Sequence, residues 1–411
     1  MKLTTIIVIL FFAALVVCFF VNKKIFSAII SAIIKAVVLL IVCYEVDNIP
    51  YRFGAKTKML TFKESIAQKG PHKNPDSENV VFINTGYDLQ FVDTHKGREI
   101  ITNRDTLIQL LQYLQKVDYK YIFLDINFEK GYETPSDSIL VALIKSMRDI
   151  TIAKHWDYKN EKEFELIDDA LLEKASYCDF VNSMYNTSIS CYQFIQKNGN
   201  SAALDIYQNT TNHSIKVHRI GNLKLWYSDR DRLCYNSLFL AISEEYEKQI
   251  RTDYSARYLD MGSMKERFGD AIIPYLKGKT ICIGDFISDL HDTYYNKQPG
   301  TYLHWLAYNN LSNENHIYHR GLILLLFLAY SAIFFCKKIN FDLAHLVKKP
   351  FFSFLLAYIN SSLLLSVTCF IIYCHKGIFI DIFIPTLVFS FYSLYLKIIS
   401  LLSQSKKTHD K

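Results

Sequence analysis

The chain has 411 residues, half of them hydrophobic and 15% aromatic, with a formal charge of +6. These averages combine apolar runs near both ends with a polar middle rich in Tyr, Asp and Lys, which excludes a disordered chain and one soluble throughout. Many of the lysines stand beside the apolar runs, and the stretches 154–162 and 251–267 mix bases with acids and aromatics, so the excess charge reads as topological and no nucleic acid partner is expected.

Residues 3–21 and 25–43 each approach the roughly 20 apolar residues that a bilayer core requires. The first reads as a membrane helix. A signal peptide is the alternative, opposed by the long apolar stretch, the single Lys2 before it and the lack of a small-x-small site around Asn22-Lys23-Lys24. Lys35 interrupts the second run, where it must pack inside a bundle or snorkel poorly from mid-helix. Residues 44–78, with Gly54, Gly70, Pro71 and Pro75 among many lysines, suit an irregular juxtamembrane segment.

The run 79–84 reads as a buried strand. Asn103 is placed to cap a helix in which Leu107, Leu110, Leu111, Leu114 and Val117 share a face. Residues 121–126 form the next strand, Ser136 or Asp137 caps a helix with Ile139, Leu140, Leu143, Ile144 and Met147 on one side, and 149–153 is extended again. Strand, helix, strand, helix, strand at these lengths implies a mainly parallel α/β sheet with flanking helices. Residues 155–214 read as an insertion, with a helix near 161–175 and an irregular Ser/Asn/Tyr-rich stretch. A hairpin of 215–218 and 223–227 turns at Gly221-Asn222. A helix over 236–250, a strand at 254–259, a helix over 264–276, a strong strand at 280–283 and a last helix over 302–311 follow.

Runs at 322–336, 351–374 and 378–396 bring the expected membrane helices to about five. The expected organisation is a membrane pair in 1–43, an α/β domain in 44–319, three membrane helices in 320–402 and a short tail at 403–411. Lys23 and Lys24, Lys337 and Lys338 with Lys348 and Lys349, and Lys406 and Lys407 then fall on one side, which the positive-inside rule makes cytoplasmic. Residues 44–319 are thereby placed outside the cytoplasm, in the periplasm or the extracellular space.

Of nine cysteines, Cys178, Cys191, Cys234 and Cys282 lie in the middle region. No closely spaced Cys or His pairs form small chelate loops, so neither a metal nor a cofactor is expected. Cys178 and Cys191 read as free thiols, with a disulfide in an oxidising compartment as the alternative.

Several of these segments recur in one known order: Val80-Val81-Phe82-Ile83-Asn84; the Asn103-Arg104-Asp105-Thr106 helix start; Ile122-Phe123-Leu124-Asp125-Ile126-Asn127-Phe128 with Asp137-Ser138-Ile139-Leu140 after it; and Lys277-Gly278-Lys279-Thr280-Ile281-Cys282-Ile283-Gly284-Asp285, followed by Asp292, Pro299-Gly300 and a helix. This order resembles the CHASE2 extracellular sensory domain over about residues 44–319, and the three apolar runs after it match the family's usual layout. The resemblance implies an extracytoplasmic sensory domain that binds a ligand and takes part in signal transduction. Two departures stand out. The family's first strand commonly ends in acidic residues where this chain has Asn84, and its members often carry an effector beyond the membrane block, where this sequence has only 403–411.

In parallel α/β sheets ligands occupy the crevice at the carboxyl ends of the strands. Asn84, Asp125, Asn127 and Asp285 fall at predicted strand ends, and His291 with Asp292 follows closely, so these six are the candidate ligand-binding residues. Strand-end Asp and Asn also cap turns and helices by local hydrogen bonds, and that is the ordinary alternative for each. The sequence from Gly284 to Asp292 does not fit a metallophosphoesterase, because Asp289 stands four residues after Asp285 instead of three and no Asp-x-His precedes it. No P-loop, nucleophile elbow or dinucleotide fingerprint occurs.

The expected function is therefore a membrane-anchored sensory protein, not itself an enzyme. It is expected to bind an unknown small molecule and to act through a separate effector protein or a second copy of itself. A membrane-anchored hydrolase that uses the acidic strand ends is the alternative.

Overall fold

The computed structural model describes residues 23–48, 79–95, 97–157, 160–180, 189, 191–196, 198–239, 258–293, 297–318, 320–339, 349–376 and 383–409. They fall into a helical unit, within Met1–Ile49 and Tyr318–Lys411, and an α/β unit within Lys58–Ile317. Helix α1 (Lys23–Asp47) opens the helical unit.

The α/β unit begins with β1 (Val80–Asn84), buried along its whole length. Alternation explains this: Val80 and Phe82 enter one core and Val81 and Ile83 the other. An antiparallel hairpin of β2 (Leu89–Thr94) and β3 (Gly97–Thr102) follows, which the sequence reading did not anticipate. Asn103 caps α2 (Arg104–Leu114) through Oδ1, which accepts from the Thr106 amide at 3.0 Å, and Leu107, Leu110, Leu111 and Leu114 are buried. Strand β4 (Tyr121–Asn127), helix α3 (Asp137–Ser146) and strand β5 (Ile150–Lys154) complete the expected alternation.

Differences begin in the segment read as an insertion. In place of a helix over 161–175, β6 (Trp156–Asp157) pairs with β7 (Lys162–Glu163), Glu161 takes a left-handed φ of 51°, and a 3-10 turn runs only over Asp169–Lys174. That turn leads into β8 (Ala175–Tyr177), which joins the main sheet. After β9 (Cys191–Gln193), Ser201 caps α4 (Ala202–Thr211), a helix hidden in the stretch read as irregular. The expected hairpin forms as β10 (Lys216–Ile220) and β11 (Leu223–Asp229), with β12 (Arg232–Cys234) added at its edge. The helix expected over 236–250 is contradicted at its start, where β13 (Ser237–Phe239) pairs with β9; 240–250 lies outside the described residues.

Strand β14 (Tyr258–Asp260) is followed by two short helices, α5 (Met264–Phe268) and α6 (Ile273–Leu276), joined by a 3-10 turn. A continuous helix over 264–276 is broken because Gly269 takes φ of 49° and Pro274 enters the next turn. Strand β15 (Thr280–Gly284) precedes the hairpin of β16 (Leu290–Asp292) and β17 (Lys297–Pro299), and α7 (Gly300–Ser312) closes the unit.

Six strands form one sheet in the order β14-β1-β15-β4-β5-β8, and every neighbouring pair is parallel. Helices α2, α3, α5 and α6 contribute to the core on one face, while α4 and α7 contribute to the core on the other. Each fully buried Leu or Phe in these layers contributes about 1.5–3 kcal/mol relative to exposure. Beyond α7, the buried Asp229 at the end of β11 accepts from the Tyr207 hydroxyl at 2.7 Å and pairs with His316 Nε2 at 2.9 Å. Arg230 and Arg232 bond the two oxygens of Glu314 at 2.7 and 2.8 Å, so this corner binds β11 and β12 to the chain after α7.

In the helical unit, α1 packs with α8 (Arg320–Lys338), and α9 (Pro350–Lys376) packs with α10 (Phe383–His409). Four segments are long and apolar enough to cross a membrane: Lys23–Glu45, Arg320–Lys338, Phe351–Thr368 and Ile384–Leu402. The first expected run, 3–21, lies outside the described residues. Ala28, Ala32 and Ala36 form a buried small-residue seam on α1, and Ser353, Ala357 and Ser361 do so on α9. Lys35 is held within the bundle by Ser31 Oγ at 2.5 Å and the Tyr392 hydroxyl at 3.2 Å.

Candidate functional site

Parallel pairing sets Asn84, Gly284 and Asp125 level with one another at the carboxyl ends of β1, β15 and β4. Asn84 and Asp125 thus share one edge, as their strand positions imply, but their chemistry differs. Asn84 is fully buried and spends its side chain on tying neighbouring turns and strands together: Oδ1 accepts from the amides of Gly86 and Phe286 at 2.9 and 3.1 Å, and Nδ2 donates to Asp260 at 3.3 Å. Asp285 accepts from the amides of Ile287 and Ser288 at 2.8 and 2.9 Å and from the Ser288 hydroxyl. Both are turn makers.

Around Asp125 on the same edge, the polar groups converge instead of capping their own loops. Asp125 accepts from the Thr301 hydroxyl, in the first turn of α7, at 2.8 Å. Gly284 makes this approach possible, because a Cβ there would collide with Thr301 Oγ1 and lie 3.3 Å from the Asp125 Cβ. His155 follows β5 and meets Asp179, two residues beyond β8, at 3.2 Å; the other Asp179 oxygen accepts from the Trp156 amide at 2.9 Å. His291 on β16 meets Asp289 at 3.1 Å. A side chain at position 300 would run into that pair, with a Cβ 2.6 Å from Asp289 Oδ2 and 3.0 Å from His291 Nε2, so glycine lets the helix start against them without displacing either.

Beneath these groups lies a buried aromatic floor. His304, one turn into α7, bonds the Tyr192 hydroxyl through Nδ1 at 2.6 Å and stacks on Phe180 at 4.5 Å between ring centres. Phe180 also packs against His291 at 4.8 Å. The Cys178 thiol, buried as well, faces Asp125 and His304, and the three donor atoms lie within 4.8 Å of one another.

The charges act on each other strongly. Burial, with the neighbouring Asp289 adding to it, pushes the Asp125 carboxyl up to about 6, against the bond from Thr301 and the charges of His155 and His291. Burial works against protonation of His155, but the hydrogen bond and charge of Asp179, with Asp125 and Asp289, hold its pKa above the ordinary value. His304 is pushed well below its ordinary value by burial and by His155 and His291, so its ring is neutral. The thiol of Cys178 is held well up by burial and by Asp125, and the phenol of Tyr192 by burial and by Cys178. Neither is ionised at neutral pH, and neither is an activated nucleophile.

Of the six candidates named from sequence, Asp125 and His291 stand in this crevice. Asn84 and Asp285 stand on the same edge but are occupied by turns. Asn127 is exposed and donates to Glu129 at 3.1 Å, and Asp292 is exposed on β16, where alternation turns it away from the side of His291. His155, Cys178, Asp179, Asp289, Thr301 and His304 were not named. The signal for Cys178 and Asp179 was weak because β8 is three residues long, whereas His155 directly follows the recognised strand β5. Comparison of the chain with family models, with curated proteins and with solved structures gives no match.

Proposed function

We propose that the chain is a multi-pass membrane protein whose α/β unit is a CHASE2-like sensory module, taking its ligand in the crevice of Asp125, His155, Asp179, Asp289 and His291. The observation that carries this reading is the meeting of three carboxylates and two histidines, from four separate segments, at the carboxyl edge of a parallel sheet. Local capping accounts for Asn84 and Asp285 but not for Asp125, whose charged form is disfavoured by burial and by Asp289. Such a perturbed group in a crevice marks a functional site. The ligand is of cationic or hydrogen-bond-donating character, since carboxylates dominate the wall. Binding changes the packing of the membrane helices, and a partner protein or a second copy of the chain receives the output. On this reading the α/β unit is extracytoplasmic.

Two measurements test the proposal. Topology reporters fused after Ser312 and after Gln404 are expected on opposite sides of the membrane; the same side for both overturns the orientation. The purified full-length chain, melted in the presence of small cationic and polar compounds, is expected to gain stability from a ligand of the crevice, and Asp125→Leu to lose that gain. A gain that survives Asp125→Leu overturns the site.

The alternative, a membrane-anchored hydrolase, draws its support from Asp125, pushed up to about 6, with His155 among the charges acting on it and itself held above its ordinary value, two groups suited to acid and base roles. Turnover of ester or phosphoester substrates by the purified chain, lost in Asp125→Asn, decides for it.

A further inference from the structure

The innermost part of the crevice has a chemistry of its own. Asp125 lies near the end of β4, Cys178 follows β8 and His304 lies on α7, so three different donor types converge from three elements. Their ligand atoms lie within 4.8 Å of one another. Three atoms so spaced always have a point within about 2.8 Å of all of them, against about 2.0–2.3 Å for zinc bonds to carboxylate, imidazole and thiolate, so a contraction of under about 1 Å separates this arrangement from a coordinated ion.

We propose that Asp125, Cys178 and His304 bind a divalent transition-metal ion, zinc being the best match, with the outer coordination position open to the crevice. This deepens the ligand-binding reading above and rests on it only for the place of the site. A thiol and an imidazole beside one carboxylate select zinc-like ions over magnesium or calcium, which take oxygen ligands. The surroundings fit a metal centre in two further ways. His304 Nδ1 is engaged by the Tyr192 hydroxyl, which fixes the ring, and Nε2 would take the ion in exchange for the ring's hydrogen bond to the Cys178 backbone. Asp289 and Asp179 act on Asp125 and Cys178 through their charge, and supply negative charge to offset the ion. Asp125 is partly accessible while Cys178 and His304 are buried, so an ion would enter from the Asp125 side. Binding replaces the S–H bond of Cys178 with a metal–sulfur bond and releases that proton to solvent; no electron is transferred.

The test uses full-length protein purified in detergent, stripped with a chelator and reloaded with zinc or cobalt(II). The wild type is expected to retain one ion per chain after gel filtration, and the cobalt form to show a thiolate-to-cobalt charge-transfer band. Cys178→Ser is expected to lose the band, and His304→Gln and Asp125→Asn to weaken retention at least tenfold. Cys234→Ser, a buried cysteine elsewhere in the same core, is expected to keep both signals. Tryptophan fluorescence checks that each variant is folded. No ion retained by the folded wild type, or a thiolate band that persists in Cys178→Ser, overturns the proposal. Metal content is independent of topology and of other ligands, so a metal-free crevice that still recognises a small molecule refutes the ion alone. A metal-loaded chain with hydrolytic turnover refutes the sensory reading alone.

Discussion

Asp229 is wholly buried where β11 meets the segment after α7, and Asp229→Asn tests how far that corner depends on one charge. The carboxylate takes two short bonds, from the Tyr207 hydroxyl at 2.7 Å and from His316 at 2.9 Å. Both bonds fall on Oδ2, while Oδ1 has no hydrogen-bond partner, so an amide oxygen in the place of Oδ2 keeps both partners. Each then drops from about 1.5–3 kcal/mol for a bond to a charged group to about 0.5–1.5 for a neutral one, for a net loss of about 2–4 kcal/mol. For a unit of this size that corresponds to a drop of roughly 5–15 °C in melting temperature. The three tryptophans, Trp156, Trp226 and Trp305, all lie in the α/β unit, so their fluorescence in the detergent-solubilised chain reports this unit and not the membrane helices. The pH dependence carries a sign. Burial alone would raise the Asp229 carboxyl, but the bonds from His316 and Tyr207 and the charges of His316 and Arg230 outweigh it and leave it below the ordinary 3.8. With the folded value depressed, the unfolded chain takes up the proton first. The stabilisation is therefore complete above pH 3.8 and is lost as pH falls through the lower folded value. The wild type should show this acid limb and Asp229→Asn should lack it. An unchanged melting temperature, or an equally steep acid limb in the variant, refutes the reasoning.

Gly284→Ala places a methyl group against Thr301 and should cost about 1–3 kcal/mol, read as a lower melting temperature; a neutral result means that α7 shifts freely. Arg104 is 1% exposed, stacks on Phe128 at 4.6 Å and lies 3.6 Å from Asp137, with its Nε and Nη1 and one Asp137 oxygen without hydrogen-bond partners. Asp137→Leu alone should destabilise by about 3–5 kcal/mol, while Arg104→Met with Asp137→Leu should come close to wild type; equal losses in the single and double variants on denaturant titration rule out the ion-pair account. Ser361→Leu overfills the seam between α9 and α10 and should lower the yield of monodisperse protein in detergent, whereas Leu at the exposed neighbour Leu363 is already tolerated; an unaffected elution profile places Ser361 outside the seam.

Sequence alone determined the elements whose signal is local. The apolar runs over 25–43 and beyond 320, the capped leucine face after Asn103, and the strands that carry Asn84, Asp125 and Gly284 at or near their ends each follow from periodicity, capping and length, and the parallel sheet follows from their alternation. Where local signals conflict with pairing partners elsewhere, tertiary structure decided. Residues Lys162–Glu163 and Ser237–Phe239 carry helical composition but meet complementary strands, and Ala175–Tyr177 is too short to read as a strand until β5 lies beside it. The crevice shows the same division. Asp125 could be named because it lies near the end of a recognisable strand, but Cys178, Asp179 and His304 are distant from it in sequence, and no spacing rule links them. Only the parallel register, with Gly284 letting α7 close on β4, brings them to one place. The same fold removes Asn84 and Asp285 from that chemistry, because the Asn84 oxygen is taken by the amides of Gly86 and Phe286 and the Asp285 oxygen by those of its own turn, a distinction that strand-end position cannot carry.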